Sequence, residues 1–209
     1  MIGAAGPAAA VRRLVLASDN PGKLREFAAL LAPLGIEVLS QRGLGVASAA
    51  EPHATFLENA LAKARNAAAM TGLPALADDS GLCCAALGGA PGVRSARYAG
   101  DGADDAANNA ALMHALAPFA DRRGHYVCVL VALRGEDDPE PLISDARWRG
   151  EVIEQPRGSN GFGYDPHFWL PELGCTAGEL APEVKNRISH RGVAMRELVR
   201  RLAAEWDWR

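Results

Sequence analysis

The stretch Leu73-Pro74-Ala75-Leu76-Ala77-Asp78-Asp79-Ser80-Gly81 constrains this chain more than any other. Small apolar residues without a helical period read as a buried strand, and the run gives way abruptly to two acids, a serine and a glycine. A strand end of that kind is a frequent seat of catalytic groups. Side chains alternate along a strand, so Asp78 and Asp79 start out facing opposite ways and only one points directly into any site. Taken alone, the same residues also describe an ordinary Asp-Ser-Gly turn. The rest of the chain decides between the two.

A second unit lies upstream. Arg12 to Ser18 reads as a strand whose Leu14-Val15-Leu16 run is buried on both faces. It leads straight into Ser18-Asp19-Asn20-Pro21-Gly22-Lys23. Asn20 suits an N-cap and Pro21 a first helical position, and Leu24, Phe27, Leu30 and Leu31 supply the apolar stripe of the helix that follows. Unpaired amides and partial positive charge at such a helix start suit a phosphate. Lys23 is a cation set against the helix dipole, a conflict that an anion relieves, so its loss is expected to leave the ligand-free protein unchanged or slightly more stable. A full Walker A pattern is absent, since no Ser or Thr follows the lysine.

Further along, Ile36 to Leu39 forms a short strand, and Glu51 stands in a polar loop before Pro52. Thr55 and Glu58 fit a capping box for a helix that buries Leu57, Ala60, Leu61, Ala64 and Ala68 and ends near Gly72. Lys63 faces a cleft on this helix, and Arg65 faces solvent. Asp104 or Asp105 opens another helix, closed by Pro118. Tyr126 to Leu133 is the strongest strand, and with Leu142 to Trp148 it makes an antiparallel hairpin. Gly158 to Pro166 is too glycine-rich for helix or central strand, and its Phe162 and Tyr164 suit either core packing or base stacking. Lys185 to Gly192 precedes a last helix, with Arg191 again a cation near a helix start.

At 209 residues the chain suits one domain, assigned to residues 11–209, after a loose extension over residues 1–10. That extension has no basic start and is too short for a signal peptide or membrane span. A net charge of -3 offers no basic face for polymeric nucleic acid, so any nucleotide partner is small and locally held. Cys83, Cys84, Cys128 and Cys175 lack zinc-ligand spacing and read as reduced core residues of a cytoplasmic protein.

In order, SDNPGK, TFLENALAKA, LADDSG, GAPGVRSARYAG, GFGYDP and ISHRG resemble the motifs of the inosine triphosphate pyrophosphatase family. Each is weak alone, and six in sequence are specific. The resemblance implies an α/β fold, an elongated mixed sheet with flanking helices forming two lobes around a central cleft, and a homodimer. It implies hydrolysis of non-canonical purine triphosphates such as dITP, ITP and XTP with Mg2+. Carried over, Ser18, Asp19, Asn20, Pro21, Gly22 and Lys23 hold the triphosphate, with Lys63 near the phosphates. Asp79 is general base and metal ligand, Glu51 the second metal acid, and Ser80 a substrate contact. Phe162, Gly163, Tyr164, Asp165, Lys185, His190 and Arg191 line the base pocket. Ala50 stands where some relatives carry another acid, and Ser18-Asp19 replaces the commoner Thr-Gly or Thr-Asn opening.

The chemistry agrees with these residue types. Attack of water on the α-phosphorus needs a base and a cation for the leaving pyrophosphate, and magnesium requires only one or two carboxylates besides water and phosphate. Rival expectations are a pyrophosphatase for modified pyrimidines and a nucleotide sensor that binds without turnover.

Overall fold

The computed structural model describes residues 12–206 and 208, so the extension assigned to residues 1–10 lies outside the described residues. Seven strands form one mixed sheet in the order β2-β1-β3-β4-β5-β6-β7. They are β1 (Arg12–Leu16), β2 (Ile36–Ser40), β3 (Ala75–Cys84), β4 (Arg123–Leu133), β5 (Leu142–Val152), β6 (Phe168–Leu170) and β7 (Cys175–Thr176). The helices are α1 (Pro21–Leu31), α2 (Phe56–Thr71), α3 (Asp105–Leu116), α4 (Pro182–Ile188) and α5 (His190–Glu205). β1 pairs in parallel with β2 and with β3, and the remaining pairings are antiparallel. The expected α/β fold, with a β4–β5 hairpin, is thus present.

Strand alternation divides the core. Leu14, Leu16, Leu76, Cys128 and Leu130 meet Phe27 and Leu31 of α1 and Ala194, Met195, Leu198 and Leu202 of α5. On the opposite face Val15, Ala77, Val129 and Val131 meet Ala60, Ala64, Ala67 and Ala68 of α2. The alanines let α2 lie close to the sheet. Leu57, expected in that buried face, is 39 % exposed instead. A third cluster joins Leu82, Tyr126, Val152 and Phe168 to Leu112 and Leu116 of α3 at the far end of the sheet.

The acids do not end their strand. β3 continues through Asp78, Asp79, Ser80 and Gly81 to Cys84, because β4 pairs with it from Ala75↔Leu133 to Cys84↔Gly124. What ends is its other neighbour. β1 pairs with β3 only through Val15↔Ala75 and Leu16↔Leu76, and the chain then turns away at Ser18. The acids therefore lie along the edge that β1 releases, backed by a fully paired strand. Gly81 allows the 92–97 turn to close over that edge, since a Cβ there would run into the Gly92 carbonyl and the Ser95 hydroxyl.

Candidate active site

A cavity of about 270 Å³ opens at this released edge, lined among others by Ser18, Lys23, Glu51, Lys63, Ser80 and Tyr126. Its polar groups come chiefly from the loop into α1, the loop and helix of α2, and the glycine-rich segment with α4 and the start of α5, with Ser80 of β3 and Tyr126 of β4 on the sheet between them.

Asn20 caps α1 as expected, its Oδ1 accepting from the Gly22 amide at 2.8 Å and the Lys23 amide at 3.2 Å. This corrects the expectation of unpaired first-turn amides, two of which Asn20 already satisfies. Anion attraction at this helix start rests on the dipole, on Ser18 and on Lys23. Asp19 turns aside, accepting hydrogen bonds from Gln41 and Ser48, and these hold its pKa below the ordinary value. Its negative charge is thereby anchored beside the cleft wall.

Lys23 has a partner that the sequence did not reveal. Its Nζ lies 2.8 Å from Asp78 Oδ2, and Arg191 Nε lies 3.6 Å from the same oxygen. Ser80 Oγ also donates to that carboxylate. Asp78 is 1 % exposed, and burial opposes its charge, but Lys23, Arg191 and Lys63 outweigh burial and hold its pKa far below the ordinary value. Both helix-start cations thus neutralise one buried acid. Arg191 further donates to Glu26 at 2.8 Å and Ser80 Oγ at 3.0 Å.

On the other face of β3, Lys63 Nζ bridges Glu51 Oε1 at 2.7 Å and Asp79 Oδ1 at 3.1 Å. Asp79 is 5 % exposed, and burial together with the nearby Glu51 raises its pKa despite Lys63. Burial also disfavours the Glu51 charge, but Lys63, Arg97 and Lys23 prevail and lower its pKa. Two oxygen-donor carboxylates that already share one cation are the donor chemistry a hard divalent ion prefers. Among the described residues no cluster of three or more His, Cys, Asp or Glu side chains gathers to hold a metal. Glu51 and Asp79 would therefore leave further positions to water and phosphate.

The glycine-rich segment closes the third side. Phe162 carries Lys185 Nζ 4.9 Å and the Arg191 guanidinium carbon 5.4 Å from its ring centroid. Asp165 accepts from the Phe162 amide at 2.9 Å and from Lys185 at 2.6 Å, so its carboxylate shapes the loop. Gly161, at φ 81°, leaves room for that carboxylate. Gly163 is held through both backbone groups by Asp105 and Asn109 of α3. The Tyr164 hydroxyl donates to the Ser95 carbonyl. Lys185 lies in α4, which corrects the reading of residues 185–192 as a lead-in, and α5 begins at His190 with Ser189 as its cap.

Sequence reasoning missed several contributors. Asn59 donates to Asp79 at 3.3 Å from one turn before Lys63, a spacing already visible in TFLENALAKA. Arg97 donates to the Glu51 side chain and carbonyl. Glu26 and Tyr126 carried no signal beyond helix and strand periodicity.

The Ham1 family model matches residues 14–201. A "dITP/XTP pyrophosphatase" of Bordetella parapertussis is 64 % identical over 197 residues, covering 93 % of this chain and 92 % of the relative. One of Burkholderia pseudomallei is 62 % identical over 201 residues, covering 95 % and 97 %. The solved structure of a HAM1 protein from Coxiella burnetii superposes with a TM-score of 0.87 at 48 % identity, covering 92 % of this chain and 99 % of that one.

Proposed function

The chain belongs to the Ham1 family, and on that premise we propose that it hydrolyses dITP, ITP and XTP to the monophosphate and pyrophosphate. The observation that carries this reading is the Lys63 bridge between Glu51 and Asp79, whose Lys63 and Glu51 line the same cleft as the cationic start of α1 and the Phe162 loop while Asp79 holds Lys63 from β3. One side of the cleft suits phosphate and another a flat base, and in this reading the carboxylates activate the attacking water.

In this reading Asp79 takes the proton of the attacking water. Asn59 and Lys63 hold its two oxygens in place. Mg2+, when bound by Glu51 and Asp79, supplies positive charge for the departing pyrophosphate and acidifies water. Lys23 and the α1 dipole compensate phosphate charge, with Ser18 to Lys23 forming the wall against which the triphosphate lies. Phe162 offers its ring to the base, with Gly163, Tyr164, Asp165, Lys185, His190 and Arg191 forming the pocket around it. A nucleotide sensor lacking turnover has no use for the paired acids, and the dITP/XTP activity for which the relatives are named favours purines over modified pyrimidines.

The proposal extends to a single domain over residues 11–209, a homodimer and a cytoplasmic location. Among the described residues no helix is long and apolar enough to cross a membrane. Hydrolysis in 18O-labelled water tests the chemistry. The label is expected in the nucleoside monophosphate, as attack on the α-phosphorus requires. Label in pyrophosphate would place the attack on the β-phosphorus and deny Asp79 the role of base for the α-phosphorus.

A further inference from the structure

Tyr126 connects the two halves of the base pocket. It lies on β4, 7 % exposed, and lines the cleft. Its ring lies against the His190 imidazole with centroids 4.7 Å and planes 6° apart. Phe168 packs on the same ring at 4.6 Å, and Trp148 follows at 6.5 Å. Tyr126 also shares a buried cluster with Tyr164 of the glycine-rich segment. One strand residue thus packs against both the α5 start and the glycine-rich loop that carries Phe162.

His190 gives this contact a chemical consequence. The residue is 4 % exposed, and burial, with Arg191 and Lys185 nearby, drives its pKa well below the ordinary value despite the opposing Asp78. The imidazole is therefore uncharged, with one nitrogen protonated. Its Nδ1 is buried without a hydrogen-bond partner among the described residues. The tautomer that avoids a buried N–H without an acceptor carries its proton on Nε2. An Nε2–H donor matches the 6-keto oxygen of hypoxanthine or xanthine, whereas the 6-amino group of adenine sets donor against donor.

We propose that Tyr126 is a positioning residue for base selection, its ring fixing the plane of His190 so that the Nε2 proton faces the keto edge of a 6-oxopurine. This rests on the pyrophosphatase reading above. The parallel stack leaves the imidazole edge, where its hydrogen-bonding atoms lie, as the part directed past Tyr126. Without the stack His190 is free to tilt, and a donor out of plane discriminates poorly.

The test compares Tyr126→Leu, which removes the stack, with Tyr126→Phe, which restores it. Pyrophosphate release from ITP and ATP gives KM and kcat, and 1H–15N NMR follows the His190 ring. The leucine variant is expected to raise KM for ITP about tenfold, to keep kcat within about threefold and to shrink the ITP/ATP ratio. The phenylalanine variant recovers most of both KM and the ratio. In the unaltered protein, titration with inosine monophosphate is expected to move the His190 Nε2 resonance, a readout that needs no variant to fold. A folded leucine variant with unchanged KM and ratio, or with kcat and stability lost at an unchanged ratio, overturns the proposal. So does saturation by inosine monophosphate that leaves His190 unmoved. If the unaltered protein releases no pyrophosphate from any purine triphosphate, the pyrophosphatase reading has failed, and the same titration run on the unaltered protein and on Tyr126→Leu still judges His190 and Tyr126.

Discussion

At the residue scale, the two neighbouring acids of β3 have opposite tasks because they point to opposite faces of one strand. Asp79, with Lys63 and Glu51 beside it, is the proposed base. Asp79→Asn is expected to abolish turnover and preserve triphosphate binding, since it removes a negative charge from an anion site. Calorimetric titration with a non-hydrolysable triphosphate separates the two, and near-normal turnover would transfer the role elsewhere. Asp78, on the other face, is paired inside through Oδ2 with Lys23, Arg191 and Ser80, while its Oδ1 has no hydrogen-bond partner among the described residues. A helix-dipole argument alone makes Lys23 dispensable for stability, but the ion pair with buried Asp78 reverses that expectation. Removing one partner of a buried pair costs about 3–5 kcal/mol, and the lower end applies to Lys23 because Arg191 remains. Lys23→Met is therefore expected to lower Tm clearly near neutral pH. The folded-state pKa of Asp78 is depressed, so its contribution is fully present above the unfolded value, about 3.9, and is lost as pH falls below it. The gap in Tm between the parent and Lys23→Met should thus narrow below about pH 4. A constant gap across that range would remove Asp78 from the explanation.

At the element scale, local signals were legible wherever chemistry and geometry coincide within a few residues. Asn20 caps α1, and Gly72 takes the left-handed conformation after α2, both as the sequence suggests. Thr55 accepts from the Glu58 amide, and its hydroxyl donates to the Glu58 carboxylate, a variation on the expected box. Since α2 carries both Asn59 and Lys63, its first turn matters to the site. Thr55→Ala is expected to cost about 1 kcal/mol with kcat nearly unchanged. Chemical denaturation measures the first and steady-state rates the second. A large fall in kcat at full folding would mean that the cap also sets the position of Lys63. Illegible in sequence were features fixed by partners distant along the chain. β3 runs past its acids because β4 pairs with it, and Asp78 meets Arg191 from the last helix of the chain. Leu57 is exposed because the alanines of α2 face the sheet instead.

At the scale of the whole molecule, the cleft exists because β1 stops at Leu16 while β3 and β4 continue, leaving an edge against which three separate segments converge. The individual motifs were visible, and their order along the chain pointed to the family. Their convergence depends on topology, which no single motif contains. The cleft combines cationic and carboxylate groups with an aromatic loop flanked by donors, a combination suited to 6-oxopurine triphosphates. The measurement that tests this most directly is a panel of ITP, dITP, XTP, ATP and GTP with and without Mg2+, with products resolved as pyrophosphate or orthophosphate. The account predicts Mg2+-dependent release of monophosphate and pyrophosphate, with kcat/KM for ITP above that for ATP by on the order of 10^2-fold. Orthophosphate and diphosphate as products, or equal kcat/KM for ITP and ATP, would contradict it.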